Sequence, residues 1–352
     1  HLFPAEALAD ALAGRGVAVD LATDERATRY GREFPARATY IIPSDTLRGR
    51  NPVALARTVW RLGMGSGMAF RLLGSLRPRA VVGFGGYPSL PPLLAASLRG
   101  IPTVIHDANA VIGRANRFLA ARATAIAVTF PGVLDAYPEL AAKAEHTGNP
   151  LRESVIAAAA TPYAAPVAGG PLKVLVFGGS QGARVMADIV PSAIERMDAF
   201  LRGRLVITQQ ARDEDEPRVR ETYARLGIAA EVAPFFTDLP ARIADTHLVV
   251  SRSGAGTVAE LAAIGRPAIL VPLPGAIDQD QFANASVLAK AGGAILLQQK
   301  DFTPERLASD LSAFAVAPEG LAGMATGARS VGTLDAAERL ADLVLRVARK
   351  PA

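Results

Sequence analysis

Between Leu248 and Ile264 the chain passes from a β-branched run, through a glycine-broken turn, into a helical pattern, and that succession restricts the fold sharply. Leu248-Val249-Val250 reads as a strand, Ser253-Gly254-Ala255-Gly256-Thr257 interrupts it, and Val258, Leu261, Ala262 and Ile264 then recur at helical spacing. A helix that starts where a strand ends presents amides lacking intrahelical partners and the positive end of its macrodipole. A diphosphate is stabilised there without a metal. Glu260, one turn inside the helix, can accept hydrogen bonds from the vicinal hydroxyls of a ribose. After a second strand, Ala268 to Val271, the stretch Pro272-Leu273-Pro274-Gly275 is too poor in amide donors to continue a sheet interior. Asp278, Asp280, Gln281 and Asn284 follow, short polar groups suited to sugar hydroxyls. The glycines alone would be explained by a tight turn; Glu260 and the polar cluster shift the reading toward a ligand.

The rest of the chain repeats this rhythm. Helical Ala5 to Leu12 precedes strand-like Val17 to Ala22 and Ala38 to Ile42, then a basic helical segment over about 52–76. Ala80 to Val82 ends in Gly83-Phe84-Gly85-Gly86-Tyr87-Pro88-Ser89 before helical Leu90 to Leu98, and the strands Thr103 to His106 and Ala125 to Thr129 flank a helix over 114–121. Near residue 150, Thr147-Gly148-Asn149-Pro150 and the Ala/Pro/Gly-rich 157–171 mark a boundary, after which Lys173 to Phe177 and Gly178-Gly179-Ser180-Gln181-Gly182 restart the pattern. Alternating strands and helices predict α/β architecture: two doubly wound, Rossmann-like domains, with ligands at the carboxyl ends of parallel strands. Expected bounds are 1–150 for the first domain, 151–335 for the second, and 336–352 for a last helix packing back on the first. Two such domains meeting at a cleft predict hinge closure on a ligand.

A chain of 352 residues, half of them hydrophobic, is large enough for two cores. No apolar run reaches the roughly 18 to 20 residues of a spanning helix, and the opening His1-Leu2-Phe3-Pro4 has no leader character. With no cysteine there is no disulfide or thiolate chemistry, and a cytoplasmic setting is expected. The net charge of +5 is uneven: residues 1–150 carry 17 basic and 11 acidic groups, the remainder 21 and 22. Between Asp45 and Asp107 there is no acidic residue, while Arg48, Arg50, Arg57, Arg61, Arg71, Arg77, Arg79 and Arg99 alternate with Val59, Trp60, Met64, Met68 and Phe70. A helix apolar on one face and cationic on its flanks suits an anionic lipid surface, each basic residue contributing about 1 kcal/mol. An ordinary packed amphipathic helix is the competing explanation. Nucleic acid is not expected, because such a groove would not need so much leucine and methionine.

These motifs carry a resemblance that extends over nearly the whole chain. The 251–284 segment, Gly178-Gly179-Ser180-Gln181-Gly182-Ala183, Asn149-Pro150-Leu151-Arg152 and His106-Asp107-Ala108-Asn109 resemble the MurG family of glycosyltransferases, which transfer N-acetylglucosamine to the lipid-linked muramyl-pentapeptide precursor of peptidoglycan. The resemblance implies the two-domain GT-B architecture, inverting transfer from UDP-N-acetylglucosamine, no cofactor and no metal, and a peripheral place on the cytoplasmic face of the bacterial inner membrane. It assigns donor contacts to Asn109, Arg152, Ser180, Gln181, Phe236, Glu260, Asp280, Gln281 and Asn284, with Ala255, Gly256, Thr257, Val258 and Ala259 as the helix start beneath the phosphates. Gly85, Gly86 and Tyr87 would face the pyrophosphate of the lipid acceptor. Asp107 stands where the family has Glu, and Asp280 where some members have a second Gln. His1 aligns with the family's candidate general base, but the strand and glycine loop that precede it there are absent from this sequence, so its side chain is expected to lack a fixed orientation. His106, His146 and His247 are expected to be structural, and Asp213-Glu214-Asp215-Glu216 a solvated acidic run. A UDP-sugar epimerase of similar fold, or a nucleotide-binding protein without activity, are the alternatives.

Overall fold

The structure is a computed structural model that describes residues 1–25, 34–45, 52–179, 182–276 and 279–349. It divides into two compact units, His1–Arg152 with Leu334–Ala352, and Glu153–Thr333. In the first unit β1 (Asp20–Thr23) and β2 (Ala38–Ile41) form a parallel pair. β3 (Val81–Gly83), β4 (Thr103–Asp107), β5 (Ala125–Val128) and β6 (Ala144–His146) form a four-stranded parallel sheet in that order. β1 starts at Asp20 and not at Val17, because the Val17 amide donates to Leu12 O at 3.0 Å and closes the preceding helix. β4 and β5 are buried along their whole length, and their side chains alternate between two covered faces. Val104 and Ala127 pack against Leu8, Leu12, Leu340 and Val344, whereas Ile105 and Ile126 pack against Leu93 and Leu119. The helix Ala336–Ala348 therefore belongs to the first unit, inserting Leu340, Leu343, Val344 and Val347 at i, i+3, i+4 and i+7. Arg15 to Asp342 and Arg346 to Glu145, each 2.5 Å, fix its polar edges.

The second unit is built on one parallel sheet of β7 (Leu172–Phe177), β8 (Leu205–Gln210), β9 (Ala229–Ala233), β10 (Leu248–Ser251), β11 (Ala268–Leu270) and β12 (Ala294–Leu296). Their spatial order is β12-β11-β10-β7-β8-β9. The chain winds outward from β7 through β8 to β9, then returns to the other side of β7 and winds outward again. The switch point thus falls between β7 and β10, where a crevice opens at the carboxyl ends of such sheets. Leu172, Val174, Val176, Leu248 and Val250 form the centre of the core below it. Each fully buried Leu, Val or Ile there contributes roughly 1.5–3 kcal/mol. Among the described residues no helix is long and apolar enough to cross a membrane.

Candidate functional site

The register aligns Phe177 with Ser251, so the turns after β7 and β10 leave the sheet side by side at the switch point. After β7, Gly178 lies so close to the returning chain that a Cβ would stand 2.1 Å from Ala183 N, and Gly179 and Gly182 have φ of 88° and 67°. Only glycine fits this tight loop. After β10, Gly254 caps the helix Ala255–Ile264 with extended backbone, and no side chain covers the cap. The amides of Ala255, Gly256 and Thr257 precede the first intrahelical bond, which Val258 N makes to Gly254 O at 3.0 Å. The amides ahead of that bond are those of these three residues; Val258 and Ala259, expected beside them, are buried, and Val258's amide is bonded within the helix. Glu260 is half-buried on the first turn beyond.

The polar cluster after β11 is knitted to this turn. Ser253 Oγ donates to Gln281 O at 2.8 Å, Asn284 Nδ2 donates to Ser253 O at 3.2 Å, and Leu273 N donates to Gln281 Oε1 at 3.0 Å. Asn284 has no exposed surface. Expected as a sugar contact, it also braces the turn after β10 through its Nδ2. Gln281 shapes the Pro272–Gly275 loop through its Oε1, and Asp280 Oδ1 accepts from Gln281 N at 2.8 Å in the first turn of the helix Asp280–Lys290. Phe236 is buried, with the Arg242 guanidinium 4.3 Å above its ring, while its neighbour Phe235 is exposed. Ser180, Gln181 and Asp278 lie outside the described residues.

Sequence reasoning missed Arg252. It is 8 % exposed and donates to Val271 O, Pro272 O and Gln299 Oε1 at 3.1, 3.0 and 2.6 Å, and burial lowers its pKa. Its guanidinium ties the end of β10 to the loop after β11. The signal was an arginine next to the strand end and the glycine turn. The acidic run is engaged elsewhere: Asp215 pairs with Arg218 at 3.1 Å, and Glu216 with Arg220.

In the first unit β3 is followed by Gly85 and Gly86, both with positive φ (85° and 71°), braced by Ser89 Oγ donating to Gly85 O at 2.7 Å. Contrary to expectation, His1 has a defined place against this turn. Its backbone N-caps the helix Leu2–Ala13, and a Cβ on Gly86 would lie 3.5 Å from His1 Nε2. Asp107, at the end of β4, is 2 % exposed and accepts from Asn109 N (3.1 Å), Gly113 N (2.8 Å) and Asn116 Nδ2 (2.9 Å). Its carboxylate thereby shapes the loop that carries Asn109. Asn116, which sequence reading passed over, also donates to His106 O at 3.1 Å and stands beside Gly85. His106 Nε2 faces Gly148 O at 3.1 Å, and complete burial pushes its pKa down to about 4. It is a neutral structural imidazole. His146 and His247 are tied to Thr129 O and Lys173 N at 3.0 Å each. Arg152 belongs to the first unit, with its guanidinium 4.2 Å over the Phe3 ring. On the helix Pro52–Leu76, Val59, Trp60, Met64, Met68 and Phe70 are exposed together with Arg57, Arg61 and Arg71.

Two Rossmann-like α/β domains, each with glycine turns at the carboxyl ends of parallel strands, define the class as a GT-B protein. Residues 1–128 match the glycosyltransferase family 28 N-terminal domain and residues 173–340 its C-terminal domain. The chain is 65% identical over 349 residues to the UDP-N-acetylglucosamine–N-acetylmuramyl-(pentapeptide) pyrophosphoryl-undecaprenol N-acetylglucosamine transferase of Nitrobacter winogradskyi, covering 99% of this chain and 95% of that one. It is 64% identical over 352 residues to the protein of the same name from Rhodopseudomonas palustris strain BisA53, covering 100% and 94%. A crystal structure of MurG from Acinetobacter baumannii superposes with a TM-score of 0.79 at 30% identity, covering 98% of this chain and 96% of that one. The chain belongs to glycosyltransferase family 28. That membership sets aside the epimerase alternative.

Proposed function

We propose that this chain transfers N-acetylglucosamine, with inversion, from UDP-N-acetylglucosamine to the 4-hydroxyl of the muramyl residue of undecaprenyl-pyrophosphoryl-MurNAc-pentapeptide, at the cytoplasmic face of the inner membrane. The observation that carries the reading is 65% identity across nearly the full length of a relative so named. The β7–β10 switch point supports it, with free amides at Ala255–Thr257 ready for a departing diphosphate. The nucleotide lies with its phosphates on those amides and on the Gly178–Gly182 turn, where Ser180 and Gln181 add polar groups, and its ribose on Glu260. Preorganised amides and the helix dipole stabilise the negative charge that develops on the leaving UDP. His1, beside Gly85 and Gly86, is the base that takes the proton of the acceptor hydroxyl as that oxygen attacks the anomeric carbon. Gly85, Gly86 and Tyr87 receive the acceptor's pyrophosphate, while Asn109, Arg152, Asp280 and Gln281 complete the donor contacts. The exposed Trp60, Met64 and Met68, flanked by Arg57 and Arg61, rest on anionic lipid.

The test supplies radiolabelled UDP-N-acetylglucosamine and a lipid-linked muramyl acceptor and follows label into lipid. Label that stays water-soluble refutes the reading. Glu260→Ala is expected to weaken UDP binding about tenfold or more, through loss of a charge-assisted hydrogen bond. Unchanged affinity in calorimetry removes Glu260 from the site.

A further inference from the structure

β8 lies between β7 and β9 in the sheet, and its last residues touch the turns that leave both neighbours. Gln210 is 7 % exposed; its Oε1 accepts from Gly178 N at 3.0 Å and its Nε2 donates to Pro234 O at 3.1 Å. One amide therefore joins the first residue of the glycine turn after β7 to the first residue of the Pro234-Phe235-Phe236 turn after β9. Two residues on, Arg212 Nη2 donates to Gly182 O at 3.3 Å, and a Cβ on Gly182 would stand 3.0 Å from Arg212 Cγ. The preceding Gln209 shows that this is particular to position 210. Its side chain turns into the core, donating to Met186 O at 3.2 Å and accepting from Tyr223 Oη, as alternation along a strand requires.

We infer that Gln210, seconded by Arg212, is a positioning residue that fixes the phosphate turn (Gly178–Gly182) at a set distance from the base turn (Pro234–Phe236), so that both ends of a nucleoside diphosphate are met at once. The inference rests on the donor reading above. Adjacent strands are about 4.8 Å apart, so turns on β7 and β9 are separated by roughly 10 Å with only β8 between them. Gly178 N and Pro234 O, one from each turn, are both taken up by this one side chain. A side chain that spends its acceptor on one and its donor on the other makes their spacing a property of the strand. Binding of a two-ended ligand gains from such preorganisation, since neither turn has to be ordered when the ligand arrives. A ligand with only one end gains much less.

The experiment measures affinities of the intact protein for UDP and for uridine, the latter by competition. Two variants are compared with the unchanged chain. Gln210→Met keeps length and removes both hydrogen bonds; Gln210→Asn keeps the amide but is one methylene too short to span the turns. For either variant UDP affinity is expected to fall about tenfold, the loss of two ordinary hydrogen bonds to the framework. Uridine affinity falls less than about threefold, so the ratio of the two drops. The ratio, unlike absolute affinity, is unmoved by a fraction of unfolded protein, which scales both ligands equally. If the unchanged chain does not bind UDP, the donor reading fails. If it binds UDP and the ratio is the same in both variants, the donor reading stands and Gln210 is only a framework residue.

Discussion

A neutral, buried His106 makes the first unit sensitive to acid in a predictable direction. Its folded pKa of about 4 lies below the ordinary 6.5, so the unfolded chain binds the proton more readily. Its contribution to stability is fully present above about pH 6.5 and is lost as pH falls toward 4, a change worth about 3 kcal/mol. His106→Asn lacks that titration. In urea denaturation the unchanged protein should lose about 3 kcal/mol relative to the variant between pH 7 and pH 4; a constant difference would show that folding does not shift the imidazole's pKa. That His106 is structural was legible from its place at a strand end, whereas the partners that matter were not. Asn116 and Arg252 act through main-chain carbonyls 10 and 19–20 residues away, and no local pattern encodes such a meeting. Asn284 is similar. Its type suits a sugar hydroxyl, but its burial and the bond from its Nδ2 to Ser253 O, 31 residues away, are not legible locally.

Among the elements, the helix Ala255–Ile264 is held at both ends by different chemistry. Its N-terminus offers free amides, while its C-terminus ends in Gly265 with φ 70° and meets two guanidinium groups. Arg266, 1 % exposed, donates to Ile264 O at 2.8 Å, Gly265 O at 3.2 Å, Ala244 O at 2.6 Å and Thr161 O at 3.1 Å; Arg329 donates to Ala263 O and Ala159 O. Cations at the C-terminal carbonyls oppose the negative pole of the macrodipole and leave the positive pole the more effective toward an anion. Arg266→Met strands those carbonyls and is expected to cost on the order of 3 kcal/mol in chemical denaturation; a loss under 1 kcal/mol would mean the carbonyls find water instead. Nothing in the sequence singles out Arg266, because a buried arginine satisfied by carbonyls leaves no charge partner to notice. The 52–76 helix was easier, since Val59, Trp60, Met64, Met68 and Phe70 stay at the surface beside Arg57, Arg61 and Arg71. Trp60→Ser with Met64→Ser should lower sedimentation with vesicles containing anionic lipid severalfold, and added salt should weaken the unchanged protein through its arginines. Binding equal in both proteins would assign that face to another partner.

For the whole molecule, the alternation of strands and helices made two parallel α/β domains legible, because each glycine turn sits at the end of an apolar run in the sequence as it does in the sheet. The strand order was not legible: β10 returning to pair with β7 depends on how helices pack, and it is this pairing that brings residues 178 and 254 to one crevice. The last helix differs from this: Ala336–Ala348, set against the first domain in the sequence reading, completes the core of the first unit after the chain has built all of the second. A ligand that binds only the β7–β10 seat should therefore stabilise the two units unequally. UDP at one hundred times its dissociation constant adds about 2.7 kcal/mol to whatever unfolds with its site. Amides of β7, β10 and the helix Ala255–Ile264 that exchange through global opening of Glu153–Thr333 should then exchange about 100-fold more slowly. Those of β4 and β5 should keep their rates unless the two units unfold as one. Hydrogen exchange read by mass spectrometry separates these outcomes: protection confined to the second unit places the nucleotide at the switch point, whereas protection centred on β3 and β4 would move the donor to the first unit and overturn the assignment of its seat.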